Sequence, residues 1–211
     1  MTKSGLNPAQ DSPGSSRMLF VLKRVSDLLL VALALPIVLP VFVVIAVLVR
    51  LSGPGPVLLR LNCIGLDGRI FGKYRFRIVH MDAERRMRMA ERNPPGVAGS
   101  DPRVTAIGAW LASNGLNRLP QFINVVRGDM SVVGPRPITL SQHRNSQVFH
   151  EQLLQVRPGI FTPESLVQEQ FARSETDRCA LDLAYAANPA LSTDTRILLA
   201  AFARMIGLRS A

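Results

Sequence analysis

The sequence predicts an α+β protein: a membrane-embedded re-entrant helix, followed by a small cytosolic-face domain with short strands and amphipathic surface helices. Three observations predict it. Residues Leu28 to Val49 form a 22-residue run without a charge, with Pro36 and Pro40 near its middle. Cations flank that run on both sides. Beyond it, short apolar segments alternate with glycine and proline turns, then give way to helical spacing of apolar residues.

Composition narrows the function classes. The 211 residues are 47% hydrophobic and 19% charged, with a mean hydropathy of +0.19, which excludes wholesale disorder. Lys and Arg number 25 against 15 Asp and Glu, a net charge of +10 carried almost entirely by arginine. That excess suits phosphates, nucleic acid or an anionic membrane surface. Nucleic acid is the weakest of these, because only 6% of residues are aromatic and single-strand binders stack bases on aromatic rings. Cys63 and Cys179 are too few for a disulfide framework or a four-ligand zinc site. His80, His143 and His150 show no metal-ligand spacing.

Residues 1–16, rich in Ser, Gly, Pro and Asn, read as a flexible tail, residues 17–51 as the membrane element and residues 52–211 as the folded domain. As a helix the apolar run extends ~33 Å at ~1.5 Å per residue, enough to cross a ~30 Å hydrocarbon core. It is too long for a secretory signal and has no small-residue cleavage site after it. Pro36 and Pro40 each remove a backbone donor, so the helix is expected to break there. Lys23 and Arg24 precede the run, and from Arg50 to Arg92 there are 10 basic and 4 acidic residues, a net of +6. The positive-inside rule then places both ends on the cytoplasmic side, which a re-entrant helix satisfies and a straight span does not.

Strands are expected at Pro56 to Leu61 and Ile70 to Val79, joined by the turn Gly65-Leu66-Asp67-Gly68. Helices follow at Asp82 to Arg92, Val104 to Ala112, Leu119 to Val126, Ser141 to Gln155 and Thr176 to Ala187. Ser192 to Leu208 mixes apolar residues with Arg196 and Arg204, a pattern that suits a helix lying on a membrane surface or packed on the domain. The common nucleotide and hydrolase motifs are absent. What remains is arginine on short, proline-stiffened loops and strand ends. Arg75, Arg77, Arg127, Arg136 and Arg157 are the candidate phosphate contacts, because a guanidinium held this way clamps phosphate bidentately with little ordering cost.

The order of motifs resembles the bacterial sugar transferase family, the small monotopic phosphoglycosyl transferases, from about Lys23 to Gly207. The resemblance is carried by Lys23-Arg24-x-x-Asp27, Gly55-Pro56-Val57, Tyr74-Arg75-Phe76-Arg77, Asp101-Pro102-Arg103, Leu119-Pro120-Gln121, the run Arg127-Gly128-Asp129-Met130-Ser131-Val132-Val133-Gly134-Pro135-Arg136-Pro137, Arg157-Pro158-Gly159 and Leu181-Asp182-x-x-Tyr185. It implies a bacterial inner-membrane protein on the cytoplasmic face, acting in exopolysaccharide or lipopolysaccharide-type glycan assembly. It also implies a nucleoside-diphosphate sugar and polyprenyl phosphate as partners, Mg²⁺ as cofactor, and an adjacent Asp-Glu pair whose aspartate takes up the phosphosugar covalently.

At that pair this sequence departs from the family. It reads Leu116-Asn117-Arg118-Leu119-Pro120-Gln121, so Asn117 and Arg118 stand at the dyad positions. A carboxamide is a poor nucleophile, and arginine neither coordinates Mg²⁺ nor accepts a proton. Basic positions usual before the dyad are Ala106, Ala109 and Ala112, and the usual Gln and Arg before Gly65 are Leu61 and Cys63. The expectation is lost or weakened catalysis, with Mg²⁺ in doubt. Such a chain could bind the substrates, pair with an active paralogue, or form a homo-oligomer. The alternative is an active phosphoglycosyl transferase using a non-standard dyad or a replacement carboxylate, for which Asp129, Asp101 and Glu164 are the candidates.

Overall fold

The computed structural model describes residues 13–85, 101–140, 150–167 and 174–205. Residues 1–12 of the expected tail, 86–92 of the helix expected from Asp82, 141–149 of that from Ser141, and 206–208 of the last helix lie outside the described residues. Helix α1 runs Pro13–Leu51. It begins four residues before the boundary expected at residue 17. Proline is well placed there, since the first turn of a helix has no use for its missing N–H.

The expected break at Pro36 and Pro40 is not an interruption of α1, which is helical through both. Each proline removes a single ladder bond, and the two stand four residues apart on one exposed face, so the remaining bonds carry the helix past them. Leu33, Ile37 and Leu39 are 78%, 72% and 56% exposed. Phe20–Leu51 has a mean hydropathy of 3.1 and is long and apolar enough to cross a membrane by length and composition.

Both ends of α1 are fastened to the same domain. Near the start, Arg24 donates to the carbonyls of Val125 and Val126 (2.6 and 3.0 Å). Asp27 accepts from the Ser131 hydroxyl and the Val132 N–H, each at 3.0 Å. Lys23 donates to Tyr185 Oη (2.9 Å) and Asp194 (2.5 Å), and Tyr185 donates to Asp194 (2.6 Å). Near the far end, Ile45 and Val49 are buried with Phe76 and Leu111.

The hairpin of β1 (Leu58–Ile64) and β2 (Ile70–Phe76) pairs in the register Ile64–Ile70 through Leu58–Phe76. Its turn is the expected one, with Asp67 (φ 56°) and Gly68 (φ 74°) in the left-handed region that the Asp-Gly pair tolerates. Strand β2 ends at Phe76 rather than Val79, and β1 lies two to three residues later than the expected Pro56 to Leu61; the Arg77 N–H still bonds the Val57 carbonyl at 2.9 Å while its side chain serves the end of α1. Helix α2 (Ala106–Ser113) is capped by Thr105, whose hydroxyl accepts from the Gly108 N–H at 2.8 Å. Gly108 packs directly on the backbone of Ile78, where a Cβ would meet the carbonyl oxygen at 2.1 Å. A 3₁₀ turn at Leu116–Arg118 leads into α3 (Gln121–Arg127).

Strand β3 (Ser131–Val133) pairs in parallel with β5 (Gly159–Phe161), while β4 (Ile138–Thr139) joins β1 to complete a three-stranded sheet of order β2-β1-β4. Helix α4 (His150–Leu153), α5 (Glu175–Ala187) and α6 (Leu191–Met205) complete the described fold, confirming the mixed helix-and-sheet expectation. Helix α5 starts with a capping box, Ser174 and Asp177 bonding each other's backbone N–H.

Strand β2 is an edge strand, and α3 covers its edge. The fully buried Asn124 donates from Nδ2 to the Gly72 carbonyl (2.8 Å) and accepts at Oδ1 from the Tyr74 N–H (3.0 Å). Asn124→Ala strips partners from two buried backbone groups and is expected to destabilise by roughly 2–4 kcal/mol. Thermal denaturation in detergent checks it; a melting temperature within a degree of the native chain would refute the bridging role.

Candidate functional site

Alternation along β2 sends Lys73 and Arg75 to one face, where they line a cleft of about 640 Å³. Arg118, at the end of the 3₁₀ turn, and Gln121, at the start of α3, form its second side. Ile160 and Thr162 supply the floor, and Glu175, Cys179 and Asp182 of α5 the opposite wall. Gly115 makes the turn possible: at φ 69° it reverses the chain after α2. Its neighbours at the dyad positions then part, Asn117 buried at 3% exposure and Arg118 exposed at the cleft. Arg118 Nη1 donates to the Ile160 carbonyl at 3.5 Å.

The electrostatics of the two walls differ. Arg136 is held by the α5 carboxylates: its Nε donates to Asp182 at 2.9 Å, and Nη2 lies 3.4 Å from Glu175. Burial raises the Asp182 carboxyl above the usual carboxylate range, and the bonds from Arg136 pull it part of the way back. Lys73, Arg75 and Arg118 have no carboxylate partner among the described residues. Burial lowers the Lys73 ammonium below its ordinary value; the Cys63 thiol opposes that shift, while Arg75 and Arg118 add to it by repulsion. Arg75 is lowered in the same way, first by burial and then by Arg118.

The five arginines expected to contact phosphate do not converge. Arg75 and Arg136 line the cleft. Arg77 is 2% exposed, and its guanidinium is spent on the carbonyls of Val49 (2.9 Å), Gly53 (2.8 Å) and Pro54 at the end of α1. Its side chain lies at the end of α1 and not in the cleft, because the carbonyls orphaned at a helix C-terminus attract a cation as phosphate oxygens do. Arg127 lies over the Tyr74 ring, 5.2 Å from its centre, and donates to Tyr74 Oη at 2.8 Å. Arg157 Nε donates to the Gly128 carbonyl at 3.0 Å. Neither is among the described residues lining the cleft.

Lys73 and Arg118 complete the cationic side; sequence reasoning offered Arg118 as a phosphate binder that does not react, outside the five candidate contacts, and left Lys73 out. For Lys73 the signal was present, since two residues before Arg75 on a strand is the same face. The partners Asp182 and Glu175 carried no such signal, because only the packing of α5 brings them to Arg136.

The fit of Mg²⁺ is poor. Hard divalent cations take oxygen ligands. Among the described residues no group of three acidic, histidine or cysteine side chains could hold a metal, and the two carboxylates lining the cleft are engaged by Arg136. The replacement carboxylates considered from sequence do not line it either. Asp129 accepts from Asn124 at 3.4 Å, Asp101 pairs with Arg103 at 2.6 Å and is held down to about 2 by its hydrogen bonds, and Glu164 pairs with Arg178 at 3.2 Å.

Two predictions follow from these placements. Arg77→Gln is expected to cost about 2 kcal/mol or more through unpaired carbonyls, with unchanged phosphate binding; weaker phosphate binding in a fully folded variant would return Arg77 to the site. For Lys73 the folded value lies below the ordinary 10.5, so between the two the unfolded chain holds a proton the folded chain lacks. Stability from this residue therefore rises with pH through that window. Urea midpoints at neutral and alkaline pH should show the gain in the native chain and not in Lys73→Met; identical pH slopes would refute it.

Comparison with known proteins bears on what this cleft is. The sequence profile of the family described as Bacterial sugar transferase matches residues 18–207. A UDP-glucose:undecaprenyl-phosphate glucose-1-phosphate transferase of Escherichia coli K12 is 38% identical over 159 residues, covering 72% of this chain and 32% of that protein. A Xanthomonas campestris protein of the same description is 32% identical, covering 98% of this chain and 43% of its own length. The exopolysaccharide production protein PSS of Rhizobium leguminosarum is 32% identical, covering 84% of this chain and 92% of its own. The chain thus spans under half of the first two relatives and nearly the whole of the third. With the match running from the foot of α1 through α6, the chain belongs to the bacterial sugar transferase family.

Proposed function

We propose that this chain is a membrane-associated sugar transferase-family protein of polysaccharide assembly whose own sugar-phosphate transfer is lost or strongly weakened. Its relatives are described as moving a sugar 1-phosphate from UDP-sugar to undecaprenyl phosphate, and the proposed ligands are those two substrates. One observation carries the reading: of the two dyad positions Asn117 is a buried carboxamide and Arg118 an exposed guanidinium, Arg118 alone lines the cleft, and the carboxylates that line it among the described residues are held by Arg136. Phosphoryl transfer through a covalent intermediate needs an activated nucleophile and charge balance for the leaving phosphate. The described cleft offers the second and lacks the first.

The attachment of both ends of α1 to one domain favours a monotopic arrangement at the cytoplasmic face of the inner membrane over a straight span. A helix crossing straight through would carry its two ends to opposite faces of the bilayer. Here Lys23, Arg24 and Asp27 at one end, and Val49 at the other, hold the same domain. That agrees with the cations on both flanks.

The test is nucleoside monophosphate release by purified protein with Mg²⁺, polyprenyl phosphate and a panel of UDP-sugars, beside the Asn117→Asp/Arg118→Glu double variant. We expect the native chain to stay at the no-enzyme background and the double variant to rise above it. Release by the native chain would overturn the reading.

A further inference from the structure

The cleft's positive side does not resemble a damaged surface. Three cations from two separate elements, Lys73 and Arg75 on β2 and Arg118 on the 3₁₀ turn, surround one cavity of about 640 Å³. Placing them together costs repulsion and desolvation, both visible in the lowered Lys73 and Arg75. No carboxylate offsets that cost among the described residues, since Asp182 and Glu175 are turned to Arg136. A bound anion would offset it. A divalent cation would add to the repulsion and, among the described residues, meet no carboxylate that Arg136 does not already hold.

We propose that the cleft binds a phosphate or diphosphate group directly, without a divalent cation, with Lys73, Arg75 and Arg118 supplying the positive charge that a metal would bring. The proposal rests on the reading that the dyad's carboxylates are gone, and it deepens that reading by saying what replaced them. Arg118 is the pivotal residue. It stands at the position where the family pattern has an acid, and it adds a donor fork suited to phosphate oxygens. Binding here breaks no bond: the anion is held by charge-assisted hydrogen bonds and released unchanged.

The test is titration calorimetry on the full chain in detergent, with inorganic pyrophosphate and farnesyl phosphate as probes, each in EDTA and in millimolar Mg²⁺. Binding is expected in EDTA, and Mg²⁺ should weaken it by about threefold or more by competing for the same anion charge. Arg118→Gln should weaken it about tenfold, while Arg127→Gln, whose side chain lies on Tyr74, should leave it unchanged. Tighter pyrophosphate would identify the nucleotide side as the source of the anion, tighter farnesyl phosphate the lipid side, and both support the proposal. Binding that requires Mg²⁺, binding indifferent to Arg118, or no binding of either probe would overturn it. Turnover is a separate readout. Nucleoside monophosphate release by the native chain would end the lost-catalysis reading, whereas metal-independent binding stands or falls on the titrations.

Discussion

The carboxamide of Asn124 fixes the site. Strand β2 is at the edge of its sheet, so every second residue presents an outward N–H and carbonyl that must find a partner once covered. Asn124 meets both, taking the Tyr74 N–H and giving to the Gly72 carbonyl. A side chain that only accepted or only donated would leave one of them unpaired, which is why an amide stands there. The bridge ties α3 to the strand, and with α3 come Gln121 and the turn bearing Arg118. Lys73 and Arg75, on the same strand, are thereby set opposite Arg118 across one cleft.

Arginine does two kinds of work in this fold, and the partner each guanidinium meets separates them. Arg24, Arg77 and Arg157 serve backbone carbonyls: the end of α3, the end of α1, and Gly128. Each satisfies acceptors that a helix end leaves open and places positive charge at the negative end of the dipole. Arg75 and Arg118 instead face the cleft with no carboxylate among the described residues, while Arg136 stands between them and the α5 acids. A guanidinium fork suits carbonyl and phosphate oxygens alike, so residue type alone does not sort the two groups.

Helix α1 combines an apolar shaft with a polar foot. Its middle is exposed leucine, isoleucine and valine, suited to lipid and to nothing in the domain. Its foot carries Lys23 and Asp27 into a network with Tyr185, Asp194 and Ser131, groups from α5, α6 and β3. Charged and polar groups buried this way are stable only when paired, so the network also fixes how the helix leaves the domain.

The sequence by itself determined the family, the apolar helix, the β1–β2 hairpin with its Asp-Gly turn, and the replacement at Asn117 and Arg118. These are local matters of hydropathy, period, turn chemistry and the identity of single residues. The tertiary structure decided which arginines reach the cleft. It sent Arg77 to the end of α1 and Arg127 onto Tyr74, and it brought in Lys73 by strand alternation. It also kept α1 helical through Pro36 and Pro40. The two arginine placements depend on contacts between segments 28 to 53 residues apart in the chain, Val49 with Arg77 and Tyr74 with Arg127. No local pattern encodes a partner at that range, because the carbonyl that claims a guanidinium is set by packing and carries no mark in the sequence.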